Sequence, residues 1–379
     1  AAIYAFFVPK EGTIAVQQIG IDFPLASWID NLRLGIYGAF TNQLEQAKAE
    51  QQFAKYAHQL YQKLLAPIAQ QQPFPQELIV IPDGLLGYIP FDALLTANVP
   101  GEAIGKYYQY PFFIKQHQIA YTYSATLLQA MQQATIQPKY QKVLAFAPSF
   151  GNNQSVSTDR SGLGALVHNR KEIQSIKRIL GGKNLFDQEA NKQSFLDLAA
   201  QYRYLHLSSH ARMNDQYPDY SYIAFTQSQA DSIDESELLY VNDLYNIPLN
   251  SDMVVLSACE TGLGQLAKGE GIISLSRAFS YAGARSVITS LWRVSDQHTT
   301  NLMVDFYQHL KTGQAKDKAL WQAKKQFVEA GLYAHPYYWA GFIPIGNMNP
   351  IEQNGTSLHY WWLGLLILPV LFFWWRRKG

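Results

Sequence analysis

"DMVVLSACETGLG" runs from Asp252 to Gly264. Met253, Val254, Val255 and Leu256 form a short apolar run, and a glycine-containing turn follows it. Such a run reads as a strand with both faces covered, a pattern of parallel sheets flanked by helices. "YRYLHLSSH" (202–210), "KVLAFAP" (142–148), "RSVITSLW" (285–292) and "YYWAGFIPIG" (337–346) repeat it, with shorter candidates in "NLFDQ" and "SYIAFT". Between them lie helical patterns: "HNRKEIQSIKRILGG" with its glycine stop, "KQSFLDLAAQ", "GIISLSRAFSYAGA", and a pair over 295–310 and 314–330, the first capped by Ser295 or Asp296. Strands alternating with helices predict an α/β fold, a mostly parallel sheet with helices on both faces.

The amino-terminal part is less regular. Residues 3–8 and 13–19 read as a hairpin, and 41–68 as one or two amphipathic helices with a glutamine-rich solvated face. "ELIVIPDGLLGYIPFDALL" (77–95) reads as a buried strand, a turn and a second element. The first residue is not methionine, which suggests a piece of a longer protein or a processed product.

The chain of 379 residues is 48% hydrophobic and 16% charged, enough for a large globular core. A net charge of +1, with no basic run before the last residues, argues against nucleic-acid binding. The single cysteine excludes an internal disulfide and a cysteine-rich zinc site. The far carboxyl end is different. Leu358–Trp375 is uncharged, bracketed by Trp361-Trp362 and Trp374-Trp375, and followed by Arg376-Arg377-Lys378. Its length of about eighteen residues and its aromatic belts predict a single membrane span, against the plainer reading of a buried helix.

Sites in open parallel sheets lie at the carboxyl ends of the strands. His210 ends one strand and Cys259 follows another. If those strands are neighbours, imidazole and thiol face each other as base and nucleophile. The plain alternatives are a buried small hydrophobe for Cys259 and a hydrogen-bonded structural histidine for His210. His206 lies deeper on the same strand and reads as packing; a zinc pair with His210 lacks a third ligand. "GLGQLA" (262–267) matches a dinucleotide fingerprint, but neither the helix nor the distant acidic residue follows. No metal or cofactor is called for.

"YLHLSSHA", "VVLSACETGLG", "KGEGIISLSRAFSYAGARSVITSLWRVSD" and "HPYYWAGFIPIG", in this order and spacing, resemble the CHAT domain, a caspase-like cysteine peptidase family related to separase and often preceded by TPR repeats. "LIVIPDGLLGYIPFDALL" looks like that family's non-catalytic half. The resemblance, over about residues 1–347, implies a caspase-like fold with a non-catalytic half (1–136) and a catalytic half (137–347); the composition beyond it reads as a linker (348–357), the membrane helix (358–375) and a basic tail (376–379). It implies His210 as general base and Cys259 as nucleophile, with the backbone N–H groups of Ala211 and Cys259 as oxyanion donors. The family usually has glycine where this chain has Ala211. Ser257, Glu260, Trp292 and Asp296 fall in segments resembling the substrate pocket, although Asp296 also reads as a helix cap and Trp292 as packing beneath the pocket. The implied function is a membrane-anchored cysteine endopeptidase acting on a protein substrate under an upstream TPR-type or other regulatory domain. The alternative is a catalytically silent interaction module. The basic tail argues for a cytoplasmic carboxyl terminus, whereas family analogy tips the catalytic domain toward the cytosol.

Overall fold

The computed structural model describes residues 2–38, 42–150, 163–214, 216–227, 233–257, 271–292, 294, 296–331 and 333–351. The chain opens on an antiparallel hairpin, β1 (Ala2–Phe7) and β2 (Ala15–Gly20). Three helices follow: α1 (Leu25–Tyr37), α2 (Gln43–Leu64) and α3 (Ala66–Gln71). The Asn42 side chain caps α2 by accepting from the Glu45 N–H at 2.9 Å. Gly35 lets α1 approach α2 closely, because a Cβ there would sit 2.7 Å from the Phe53 Cβ. Next come β3 (Glu77–Val80), several short 3-10 turns, β4 (Gln118–Tyr121) and α4 (Ala125–Gln133).

The alternating region follows. It runs β5 (Tyr140–Ala147), α5 (Asn169–Leu180), β6 (Gly182–Phe186), α6 (Lys192–Leu198) and β7 (Tyr202–Leu207). Short strands β8 (Ala211–Arg212), β9 (Tyr222–Ala224) and β10 (Leu238–Tyr240) lead to α7 (Val241–Leu244). The chain closes with β11 (Met253–Leu256), α8 (Gly271–Tyr281), β12 (Ser286–Ser290), α9 (Asp296–Lys311), α10 (Lys316–Glu329) and β13 (Phe342–Gly346).

Among the described residues the main sheet has eight strands in the order β3-β4-β13-β12-β11-β7-β5-β6. The five from β12 to β6 are mutually parallel, whereas β13 pairs antiparallel to β12 and parallel to β4. Strands from both predicted halves therefore share one sheet, joined through the last strand. The sheet is mostly parallel, as expected, with one antiparallel pairing, β12 with β13.

Strand alternation sorts side chains into two cores. Val143, Ala145, Tyr204, Val255 and Ile288 face α5, α9 and α10 through Ile173, Ile176, Phe306 and Leu320. Leu144, Phe146, Leu205, Val254 and Val287 face the other way, onto Phe195 of α6, Leu244 of α7 and Phe279 of α8. Each fully buried Leu, Ile or Phe of this kind contributes roughly 1.5–3 kcal/mol.

Two buried ionic groups add direction. Lys324 of α10 donates to Asp92, tying the last helix to the amino-terminal segment. At the amino ends of three neighbouring strands, Asp252 lies 3.1 Å from Lys316 Nζ and 3.5 Å from both the Arg203 and Arg285 guanidinium groups. Lys316 is fully buried, and burial pulls its ammonium below the usual lysine range against the opposing pull of Asp252.

Among the described residues no helix is long and apolar enough to cross a membrane. The predicted span 358–375 and basic tail 376–379 lie outside the described residues, as does most of the linker.

Candidate active site

β7 and β11 are direct, parallel neighbours. Their register pairs Met253 with Tyr204 and Leu256 with Leu207, and the Ser257 N–H continues it by donating to the Leu207 carbonyl at 2.9 Å. Both strands therefore end at one edge of the sheet, which meets the condition on which the sequence reading rested.

Beyond β7 the chain passes Ser208 and Ser209 and places His210 in a buried position, 2% exposed. The Phe150 ring stands edge-on to the imidazole, with centroids 4.6 Å apart. His210 Nε2 lies 2.6 Å from the Gly164 carbonyl oxygen, an acceptor without a proton of its own. Nε2 must therefore carry the hydrogen, and in the neutral ring Nδ1 is then the basic nitrogen. The Gly164 carbonyl thus holds Nε2 and fixes the orientation of the ring.

Ala211 opens β8. The Ala224 N–H donates to the His210 carbonyl at 2.9 Å, which makes His210 and Ala224 a hydrogen-bonded pair. The next pair, Ala211 with Ile223, is then non-bonded, and the Ala211 N–H points away from β9. β8 is the edge strand of its three-stranded sheet among the described residues, so that N–H faces off the edge. Asp187 is the sole non-glycine with positive φ among the described residues, so alanine replaces the family's glycine here without left-handed strain.

The remaining expected site residues separate. Cys259 and Glu260 lie outside the described residues. Ser257 is buried, and its hydroxyl donates to Glu172 Oε1 at 2.5 Å instead of opening to a ligand. Trp292 is 2% exposed, packs on Tyr37 with centroids 5.3 Å apart and donates Nε1–H to the Tyr337 carbonyl at 3.1 Å. This is the packing alternative of the sequence reading, not a pocket lining. Asp296 is the first residue of α9; its side chain lies outside the described ones.

Sequence reasoning missed Glu172. Its carboxylate is fully buried on α5 and meets His206 Nε2 at 2.9 Å, Ser208 Oγ at 3.1 Å and Ser257 Oγ. His206 Nδ1 in turn lies 3.1 Å from the Tyr307 hydroxyl. Burial and the nearby Glu172 hold the Tyr307 phenol well above its ordinary range. Tyr307 thus keeps its proton beside Nδ1, and the imidazole donates Nε2–H to Glu172. The signal was present: Asn169, Glu172, Ile173 and Ile176 form the buried stripe of α5 at helical spacing.

A separate cavity of about 610 Å³ is lined by Tyr37, Glu50, Tyr107, His335, Tyr337 and Tyr338 among others. His335 Nδ1 accepts the Tyr337 N–H at 3.1 Å, and its ring meets Tyr107 edge-on. Burial pushes the His335 imidazole down from the usual 6.5 to about 4. The unfolded chain then takes up a proton that the folded chain refuses. This contribution to stability is complete above about pH 6.5 and is lost as pH falls toward 4. His335→Asn keeps an acceptor for the Tyr337 N–H and does not titrate. We expect the stability difference between wild type and this variant to change by roughly 2–3 kcal/mol between neutral and acid pH, read by denaturant unfolding. An unchanged difference would show that His335 is protonated in the folded chain.

The CHAT domain profile matches residues 54–347. Tetratricopeptide repeat protein 28 of Homo sapiens is 25% identical over 316 residues, which is 74% of this chain and 12% of that protein. Its Mus musculus counterpart is 32% identical over 120 residues, 32% of this chain and 5% of that one. The chain thus spans a small fraction of the curated relatives' length. Among solved structures, the Arg-specific cysteine proteinase gingipain R superposes with a TM-score of 0.48 and 11% identity, over 86% of this chain and 74% of its own. The Saccharomyces cerevisiae separase–securin complex does so at 0.45 and 9%, over 88% of this chain and 20% of that one. With the profile covering most of its length, the chain belongs to the CHAT domain family.

Proposed function

We propose that this chain is a cysteine endopeptidase in which His210 takes the proton of Cys259 and the thiolate attacks a peptide carbonyl. The acyl-enzyme that forms releases the amine with the proton held by His210, and water then frees the acid. The backbone N–H groups of Ala211 and Cys259 receive the oxyanion. One observation carries the reading. Paired residues of β7 and β11 differ by 49 in number, from Met253 with Tyr204 to Leu256 with Leu207. His210 and Cys259 are separated in the sequence by that same number. The Gly164 carbonyl supports it by leaving Nδ1 as the basic nitrogen, and the outward Ala211 N–H supports the oxyanion role.

The substrate is a protein. Glu260 and Asp296 are the charges proposed to meet it. Residues 1–136 and 137–347 act as non-catalytic and catalytic halves of the region, and 358–375 anchors the chain to a membrane, with the catalytic part on the cytosolic side. A TPR-type segment or partner regulates it, a reading supported by the name of the relatives.

The test uses the single thiol. An electrophilic peptide probe with a basic or apolar terminal residue is expected to label the full chain at Cys259, and Cys259→Ala is expected to abolish labelling. A folded chain inert to every such probe, with and without a TPR-bearing partner, would favour the silent module instead.

A further inference from the structure

We propose that Glu172 is a positioning residue, a buried clamp that holds the two strand ends bearing His210 and Cys259 level with each other. This rests on the dyad reading above. Ser208 and Ser257 are level residues of adjacent strands, since the Ser257 N–H reaches the Leu207 carbonyl. Ser208 lies two residues before His210, and Ser257 two before Cys259. Both hydroxyls turn to the same face of the sheet and donate to one carboxylate, Ser208 to Oε2 and Ser257 to Oε1. His206 fixes that carboxylate from a third side, and Tyr307 of α9 fixes His206.

The chemistry is more than this place needs for stability alone. A fully buried carboxylate is expensive, and an apolar side chain facing two valines would seal the same space at least as well. What charge-assisted hydrogen bonds add is distance and direction. If either strand end slips, a donor to a buried carboxylate is lost. Amino-terminally the same strands are pinned by Asp252 with Arg203. The pair β7–β11 is therefore fixed at both ends, and His210 lies only two residues beyond the clamped Ser208.

Because the chain has one cysteine, alkylation by iodoacetamide reports Cys259 alone. The rate is measured against pH on the full chain, beside thermal unfolding. In the wild type the inflection is expected below the free-thiol range, and His210→Ala is expected to move it up. Ser208→Ala with Ser257→Ala is expected to shift it upward by about one pH unit, cutting labelling at neutral pH about tenfold. Glu172→Gln, which keeps the size, is expected to move it in the same direction. If the double variant does not fold, Ser257→Ala alone decides. Folded serine variants with the wild-type inflection, even at lowered melting temperature, overturn the clamp and leave the dyad standing. An inflection that His210→Ala does not move overturns the dyad, and the clamp falls with it.

Discussion

Replacing His210 with alanine is expected to cut peptide hydrolysis by about a thousandfold, roughly 4 kcal/mol in the barrier, since a positioned general base contributes about 10²–10⁴. The same change costs the fold far less. Among what it removes are the hydrogen bond to the Gly164 carbonyl and the edge contact with Phe150, each worth about 1 kcal/mol. Activity and stability therefore separate. The kcat/KM on a substrate from peptide-library profiling should collapse while the melting temperature moves by a few degrees. A folded variant that keeps more than about a tenth of wild-type activity would rule out His210 as the base.

The second large effect is structural. Asp252→Ala is expected to destabilise the chain by about 3–5 kcal/mol, because breaking a buried ion pair leaves an uncompensated charge. Here one carboxylate faces Lys316, Arg203 and Arg285, and all three are largely buried. Lys316 is the worst placed, since its other contact is the neutral Asn347 carbonyl at 3.1 Å. Lys316→Met should therefore recover part of the loss in the Asp252→Ala background, although alone it is destabilising. Urea unfolding of the four proteins gives the coupling. Strict additivity would mean that the two groups do not feel each other.

Much of this architecture is legible in the sequence. The run Met253–Leu256 is apolar at every position, that around Leu205 is interrupted only by Arg203 and His206, and glycine follows several of the helices, so strands and helices are read directly. Other parts are not legible, for physical reasons. Strand direction depends on the connection, so the antiparallel β13 looks like any other apolar run. β8 and β10 have two or three residues each, too few for alternation to register, whereas "SYIAFT" does announce β9. α1 carries its stripe of Ile29, Leu32 and Ile36, but it lies in a stretch that the pattern reading leaves unassigned. Glu172 shows the deepest limit. A charged residue on a helix reads as solvated, and only the apposition of α5 to β7 and β11 turns it inward. Ser257 follows from that: its orientation is set by a carboxylate 85 residues away in the chain.

The place of β13 has a consequence for how the molecule is made. A ribosome delivers β3 and β4 early and β12 late, yet these strands meet only through residues 342–346. Until that last strand emerges, β4 and β12 each present an open edge, which is a hazard for pairing with another chain. The completed sheet is thus a record that synthesis has passed Gly346. A chain stopped short of Gly346 is left as two unjoined sheet fragments, and the platform beneath His210 ends at a bare strand edge.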